Sequence, residues 1–429
     1  MQRIYFKKVS IDNAFCFHPQ QQLSFINEQG DWSRWTVILG ENGTGKTTLL
    51  QLLATMEMQI ISYRSDGKID FSPSTEAFLS YGHPKPGPNA KVTVELMQHD
   101  HELLPPIKLQ FSNFNIFGQP VFDDPIFGEI KCYGYGASRI MGPPTLTEED
   151  LSINSATLFY DYLYLINAEE WFMRLDYNAK ASAEDNRSFF EGRRELVKTI
   201  LIKLLPDVED IQLVAPTKEN NAPRLEFKTF TGWVSLEDLS LGYKTMVTWA
   251  VDLAYRLFIR YAESANPLAE PAIVLIDEID LHLHPKWQRQ IFEHLSATFP
   301  QTQFIVTAHS PLIVQSLPGD SNLVLLKRKG DRVLIDQNIE NVRHWRIDQI
   351  LSSELFDVPI RNKDVETKLE RRRILTAKPD RTQTEEQELA ELQKFADSLP
   401  YAESELDRKA REIIRRAAAH LSNNKGLQQ

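Results

Sequence analysis

Short apolar runs at Trp35 to Leu39, Val274 to Ile276 and Phe304 to Thr307 carry almost no polar residues, the pattern of strands buried on both faces. From Ile4 to Phe25 polar and apolar positions alternate over short stretches, which predicts edge strands ahead of that core. Lys91 to Leu96, Ile107 to Phe111 and Glu129 to Gly134 read as further strands, and Pro84, Pro86 and Pro88 mark a loop among them. The segment from Ser155 to Leu205 is predicted helical, with an aromatic stripe of Phe159, Tyr162, Tyr164, Trp171 and Phe172 that reads as core packing. Strands follow at Ile211 to Val214 and Leu225 to Phe230, then a helix over Lys244 to Ala262, then the Val274 and Phe304 strands with a helix between them. A hairpin of Leu323 to Lys327 and Arg332 to Ile335, turning at Gly330-Asp331, closes the core. This alternation predicts an α/β fold: a mostly parallel sheet flanked by helices, with an antiparallel β subdomain and a helical lobe. Beyond Asn341 the pattern changes to charged helices over 364–377, 383–398 and 403–421, divided near Pro379 and Pro400. The expected organisation is a head over residues 1–340, with the lobe inserted at 140–205, and a helical C-terminal region over 341–429.

Forty-eight basic residues against fifty-nine acidic ones leave a net charge of −11, which opposes indiscriminate attraction to nucleic acid. A local cluster of Arg361, Lys363, Lys368, Arg371, Arg372, Arg373, Lys378 and Arg381 is interleaved with Asp364, Glu366, Glu370 and Asp380, and reads as a solvated helix face. No run approaches the ~20 apolar residues of a membrane span, and Met1 to Tyr5 begins as a strand, so a cytoplasmic protein without a membrane partner is expected. Cys16 and Cys132 lack metal-type spacing and read as small buried hydrophobes.

The chemistry begins where the first apolar run ends. Gly40-Glu41-Asn42-Gly43-Thr44-Gly45-Lys46-Thr47-Thr48 is a complete phosphate loop between a strand and a helical run, Thr47 to Met56. Its glycines let the backbone wrap around phosphate oxygens, Lys46 reaches the β- and γ-phosphates, and Thr47 offers a hydroxyl to Mg2+. Asp277, closing the Val274 strand, is placed to hold that Mg2+, and Glu278 to take a proton from the attacking water. These residues imply binding and hydrolysis of a nucleoside triphosphate. His282 and His284 stand one residue apart, but no further His or Cys nearby completes a zinc set.

On these motifs the chain resembles the ABC-type ATPases, in the soluble branch related to SMC proteins. Leu239-Ser240-Leu241-Gly242-Tyr243-Lys244 is similar to the signature at a helix start, Ile276-Asp277-Glu278 to the Walker B motif, and Thr307-Ala308-His309-Ser310 to the switch-histidine loop. The resemblance covers roughly residues 1–340 and implies a head-to-tail dimer or higher homo-oligomer, in which Ser240 and Gly242 of one copy cap ATP on the other's loop. It also implies that His309 contacts the γ-phosphate and the attacking water. Leu241, Tyr243 and His284 depart from the family pattern, and no Q-loop glutamine is found. The stretch Tyr133-Gly134-Tyr135-Gly136-Ala137-Ser138-Arg139 instead resembles small bacterial ATPases that serve anti-phage systems of the Septu and retron type. Arg139 there either approaches nucleotide, relays its state to the lobe, or lies on the surface. That subgroup implies a separate effector, an HNH-type nuclease, with reverse transcriptase and nucleic acid in some assemblies, and the charged tail as a docking surface or a helical cap. The rival readings are an SMC-like DNA-repair ATPase and the ATPase subunit of a membrane transporter.

Overall fold

The computed structural model describes residues 3–399 except 28, 65–67, 74–89, 99–101, 113–114, 118–121, 123, 145–153, 216–217, 219–222, 340–341, 343 and 360. The expected loop at Pro84, Pro86 and Pro88 and the charged helix over 403–421 lie outside these residues. The chain forms two compact units, Met1–Val358 and Pro359–Gln429.

A six-stranded sheet runs through the first unit in the order Arg332–Asp336, Asn322–Lys329, Trp35–Gly40, Thr302–Thr307, Ala272–Ile276, Cys132–Tyr135. All pairs are parallel except the hairpin at one edge. Every residue of Ala272–Ile276 and Thr302–Thr307 is buried, which is why Ala272–Ile276 and the stretch Phe304 to Val306 read as apolar runs. Along the central strand Trp35, Val37 and Leu39 enter a core shared with Val247 and Trp249 of the helix Leu241–Arg260. Ile38 points the other way, into a core shared with Leu49 and Leu53 of the helix Lys46–Ala54 and with Val9, Val92 and Val94. Those last residues belong to a five-stranded antiparallel sheet, Gln21–Ser24, Ile4–Asp12, Lys91–Gln98, Ile107–Ser112 and Asn115–Phe117. A third, three-stranded sheet joins Asp210–Val214, Arg224–Thr229 and Gly232–Ser235, the last of which sequence patterning did not predict.

Several expected boundaries shift, among them two near the lobe. The strand expected from Glu129 starts at Cys132, because Asp124 caps a 3-10 turn over Pro125–Glu129 by accepting from Ile126 N at 3.0 Å. The helical segment expected from Ser155 opens with only a 3-10 turn, Ala156–Leu158, and a short strand, Tyr164–Leu165, parallel to Ile140–Met141. Helices Ala168–Ala181 and Glu184–Leu204 follow, the first begun by Asn167, whose carboxamide accepts from Glu170 N at 3.0 Å. Phe159, Trp171 and Phe172 of the aromatic stripe are buried, whereas Tyr162 and Tyr164 are 71% and 54% exposed. They precede the helix and share no face with it.

A buried polar chain ties this lobe to the sheet. Asp252, on the helix Leu241–Arg260 and 0% exposed, accepts from Arg256 Nε at 2.6 Å, Tyr135 Oη at 3.0 Å and Ile166 N at 3.2 Å. Arg256 continues to Asn154 Oδ1 at 3.0 Å, and Asn154 donates to Glu57 Oε1 at 2.6 Å. Removing one member of a buried ion pair leaves its partner uncompensated. Asp252→Ala is therefore expected to lose about 3–5 kcal/mol of stability, read as a lower urea midpoint; an unchanged midpoint would show the network to be dispensable.

In the second unit, helices Lys363–Ala377 and Gln383–Ser398 brace each other through Arg371–Glu388 at 2.8 Å and Lys378–Glu385 at 2.7 Å. Lys368 lies 4.7 Å from the Phe395 ring centroid, and Leu375 is buried between the helices' other contacts. The acids of the second helix thus neutralise part of the basic cluster, in line with a solvated face.

Candidate functional site

The order of the sheet brings the ends of three neighbouring parallel strands together, and from them come the phosphate loop, the acidic pair and the His309 segment. Gly40, Gly43 and Gly45 hold φ of 150°, 77° and 82°. At Gly45 a β-carbon would be strained and would also stand 2.6 Å from Cys16 Sγ, so only glycine fits. Gly45 opens the helix Lys46–Ala54 with no side-chain cap, leaving its first N–H groups and positive dipole end for an anion. Lys46 is buried, and its Nζ donates to the carbonyls of Gly40 and Glu41 at 2.9 Å each. Burial holds its ammonium below the usual lysine range, against the opposing pull of Asp277, Glu278 and Asp280. Thr44 is buried and donates to Glu41 O at 2.8 Å, which stiffens the loop, while Asn42 is exposed and Thr48 half-buried. Of the cysteines, Cys132 is buried as expected, whereas Cys16 is half-buried beneath the loop, near Thr44 O.

Thr47 donates through Oγ1 to Asp277 Oδ2 at 2.6 Å, so the two residues expected to hold Mg2+ touch. Thr307 Oγ1 donates to the other oxygen, Asp277 Oδ1, at 2.6 Å and accepts from Glu278 N at 2.7 Å. Glu278 is half-buried with φ of 50°. His309 is exposed at the strand end, and its backbone N–H donates to Asp280 Oδ2 at 3.0 Å. Among the described residues no three His, Cys, Asp or Glu side chains gather as a metal cluster. His284 instead caps the helix Pro285–Gln288, accepting from Lys286 N at 3.2 Å. Hydroxyl and carboxylate oxygens suit Mg2+, which keeps waters and phosphate oxygens as further ligands, so Thr47 and Asp277 fit that ion.

Ser240 and Gly242 stand elsewhere. Ser240 is the N-cap of the helix Leu241–Arg260 without a side-chain cap bond, and Leu241 beside it is 55% exposed. Gly242 presses on the turn after the acids, where a β-carbon would lie 2.4 Å from His282 O. Among the described hydrogen bonds, none joins Ser240 or Gly242 to the chain's own phosphate loop. Tyr243, in place of the family residue, donates to Pro206 O at 2.5 Å and packs edge-on against Trp287.

Sequence reading gave Thr307 no role of its own and passed over Asp280. A threonine closing an apolar strand beside the acidic strand was the available signal for the first. Asp280 carried none beyond its place three residues after Asp277. Arg139 is 4% exposed, which removes its surface reading.

Residues 133–315 match the family described as "AAA domain, putative AbiEii toxin, Type IV TA system". The chain is similar to Septu protein PtuA of Bacillus mycoides (strain KBAB4), 26% identical over 395 residues, or 91% of this chain and 50% of the relative. It is also similar to the "Retron Vc95 probable ATPase" of Vibrio cholerae serotype O1 biovar El Tor, 34% identical over 138 residues, or 32% of this chain and 26% of the relative. The chain thus spans half or less of the length of these relatives. Among solved structures it is similar to the SMC head domain from Thermotoga maritima, at 15% identity and a TM-score of 0.43 over 78% of this chain and 99% of that one.

Proposed function

We propose that this chain, an AAA-family ATPase of the anti-phage type, binds ATP with Mg2+ between two copies of itself, hydrolyses it, and uses the cycle to control a separate HNH-type nuclease. The observation that carries this reading is the joined set of Lys46, Thr47, Asp277, Thr307 and Glu278, in which a phosphate loop and an acidic pair are locked by 2.6–2.7 Å hydrogen bonds. Lys46 exchanges its loop carbonyls for β- and γ-phosphate oxygens, and the uncapped helix start faces the same anion. Thr47 and Asp277 would hold Mg2+, which neutralises charge on the phosphates when bound. Glu278 takes the proton of the attacking water, and His309 contacts the γ-phosphate from the next strand end.

Ser240 and Gly242 supply the cap in trans, in a dimer or a higher homo-oligomer. Closure then depends on the triphosphate, and hydrolysis releases it, a population shift of the kind other phosphate-loop switches use. Similarity to a Septu protein over most of the chain and to a retron ATPase over part of it supports an anti-phage role; a nuclease as the effector, with reverse transcriptase and nucleic acid in retron-like assemblies, is what the resemblance to that subgroup implies. No helix among the described residues is long and apolar enough to cross a membrane. Mass spectrometry of proteins that co-purify with the tagged chain from its native locus, in buffers with ATP and Mg2+, tests effector control. A stoichiometric nuclease is expected; membrane subunits, or the chain alone, would overturn it.

A further inference from the structure

Arg139 follows the edge strand Cys132–Tyr135 and turns its side chain under the acidic pair. Each hydrogen bond described for its guanidinium ends on a main-chain carbonyl: Nε donates to Gly136 O at 3.2 Å, and one terminal nitrogen donates to Asp277 O and to Glu278 O, the latter at 2.8 Å. Among the described residues no carboxylate pairs with it within 4 Å, so the acids nearby offset its desolvation only from beyond ion-pair distance. Burial lowers its pKa to about 10 against the opposing fields of Asp277, Asp280 and Glu278. The geometry of these bonds points to one residue.

That residue is Glu278. Its φ of 50° is unfavourable for a side chain with a β-carbon and persists only where the surroundings fix it. Thr307 Oγ1 accepts from its N–H at 2.7 Å, and Arg139 holds the carbonyls on both sides of its α-carbon. With both flanking peptide groups held, the direction in which the Glu278 side chain leaves the backbone, its Cα–Cβ bond, is set as well. Arg139 leads directly into Ile140–Met141, which pairs with Tyr164–Leu165 at the entry to the lobe. The same clamp therefore ties the lobe to the acid that takes the proton.

We propose that Arg139 is a positioning residue for hydrolysis, aiming the Glu278 carboxylate through its main chain while contributing little to ATP affinity. This rests on the ATPase reading above. The test combines titration with a fluorescent ATP analogue, single-turnover hydrolysis at saturating ATP, and thermal unfolding, for Arg139→Gln, Arg139→Lys and Arg139→Gln placed in a Glu278→Gln background. Arg139→Gln is expected to keep analogue affinity within about threefold while hydrolysis slows about 10²-fold, the scale of a misplaced reacting group. Arg139→Lys, a cation with a less suited donor geometry, recovers part of the rate. In the Glu278→Gln background the same substitution costs no further rate, since the group it aims is already gone. Losses that multiply in the double variant, or affinity and rate falling together in both Arg139 variants, would overturn the proposal in favour of a merely structural role. An active parent matched by Arg139→Gln would overturn this inference alone, whereas a parent releasing no more phosphate than Lys46→Ala would overturn the ATPase reading and this inference with it.

Discussion

Lys46→Ala is expected to weaken binding of Mg2+-ATP by about 10²-fold or more, because each charge-assisted hydrogen bond to a phosphate contributes about 1.5–3 kcal/mol and Lys46 is proposed to reach two phosphates. The loss should fall on binding rather than folding. In the free protein the ammonium is held by two carbonyls at 2.9 Å, but burial already works against its charge, so its removal relieves one cost as it forfeits those bonds. Titration with a fluorescent analogue reads the affinity, and thermal unfolding checks the fold. An unchanged binding curve would remove the loop from the site.

Glu278→Gln separates binding from chemistry. The amide keeps the shape of the carboxylate and the hydrogen bond from Glu278 N to Thr307, but it cannot take a proton from water. Turnover is expected to fall about 10²–10⁴-fold, the usual contribution of a general base, while ATP affinity holds. With release blocked, this variant should accumulate in the ATP-closed assembly, seen by light scattering as a larger mass with ATP than with ADP. Turnover equal to the parent's would refute the assigned base.

The parts of this fold that sequence made legible are those that local physics decides. Buried parallel strands announce themselves as apolar runs, and the phosphate loop needs glycine at fixed places, so Trp35 to Thr47 and Val274 to Glu278 could be read directly. The two charged helices after Asn362 were placed within about a residue because Asn362 and Thr382 cap them, each accepting from the amide three residues on. Tyr162 and Tyr164 misled because spacing is informative only within a helix, and the helix begins after Asn167. The contacts of Thr307, Asp280 and Arg139 were not legible for a different reason, although Arg139 was a candidate and Thr307 stood in the His309 motif. Each acts across strands, through contacts such as Thr307 to Asp277, whose partners lie far apart in the chain. Strand order decides those meetings, and a single sequence does not state it.

Sharing of one ATP between two copies is tested most directly by mixing two inactive variants, Lys46→Ala and Ser240→Arg, and measuring phosphate release. A shared site predicts that each variant alone is inactive and that the mixture regains turnover, since one of the two sites in a mixed pair joins an intact phosphate loop to an intact Ser240. Ser240→Arg hydrolysing ATP at the parent's rate would contradict it, because the residue meant to cap the triphosphate would then have no part in the site.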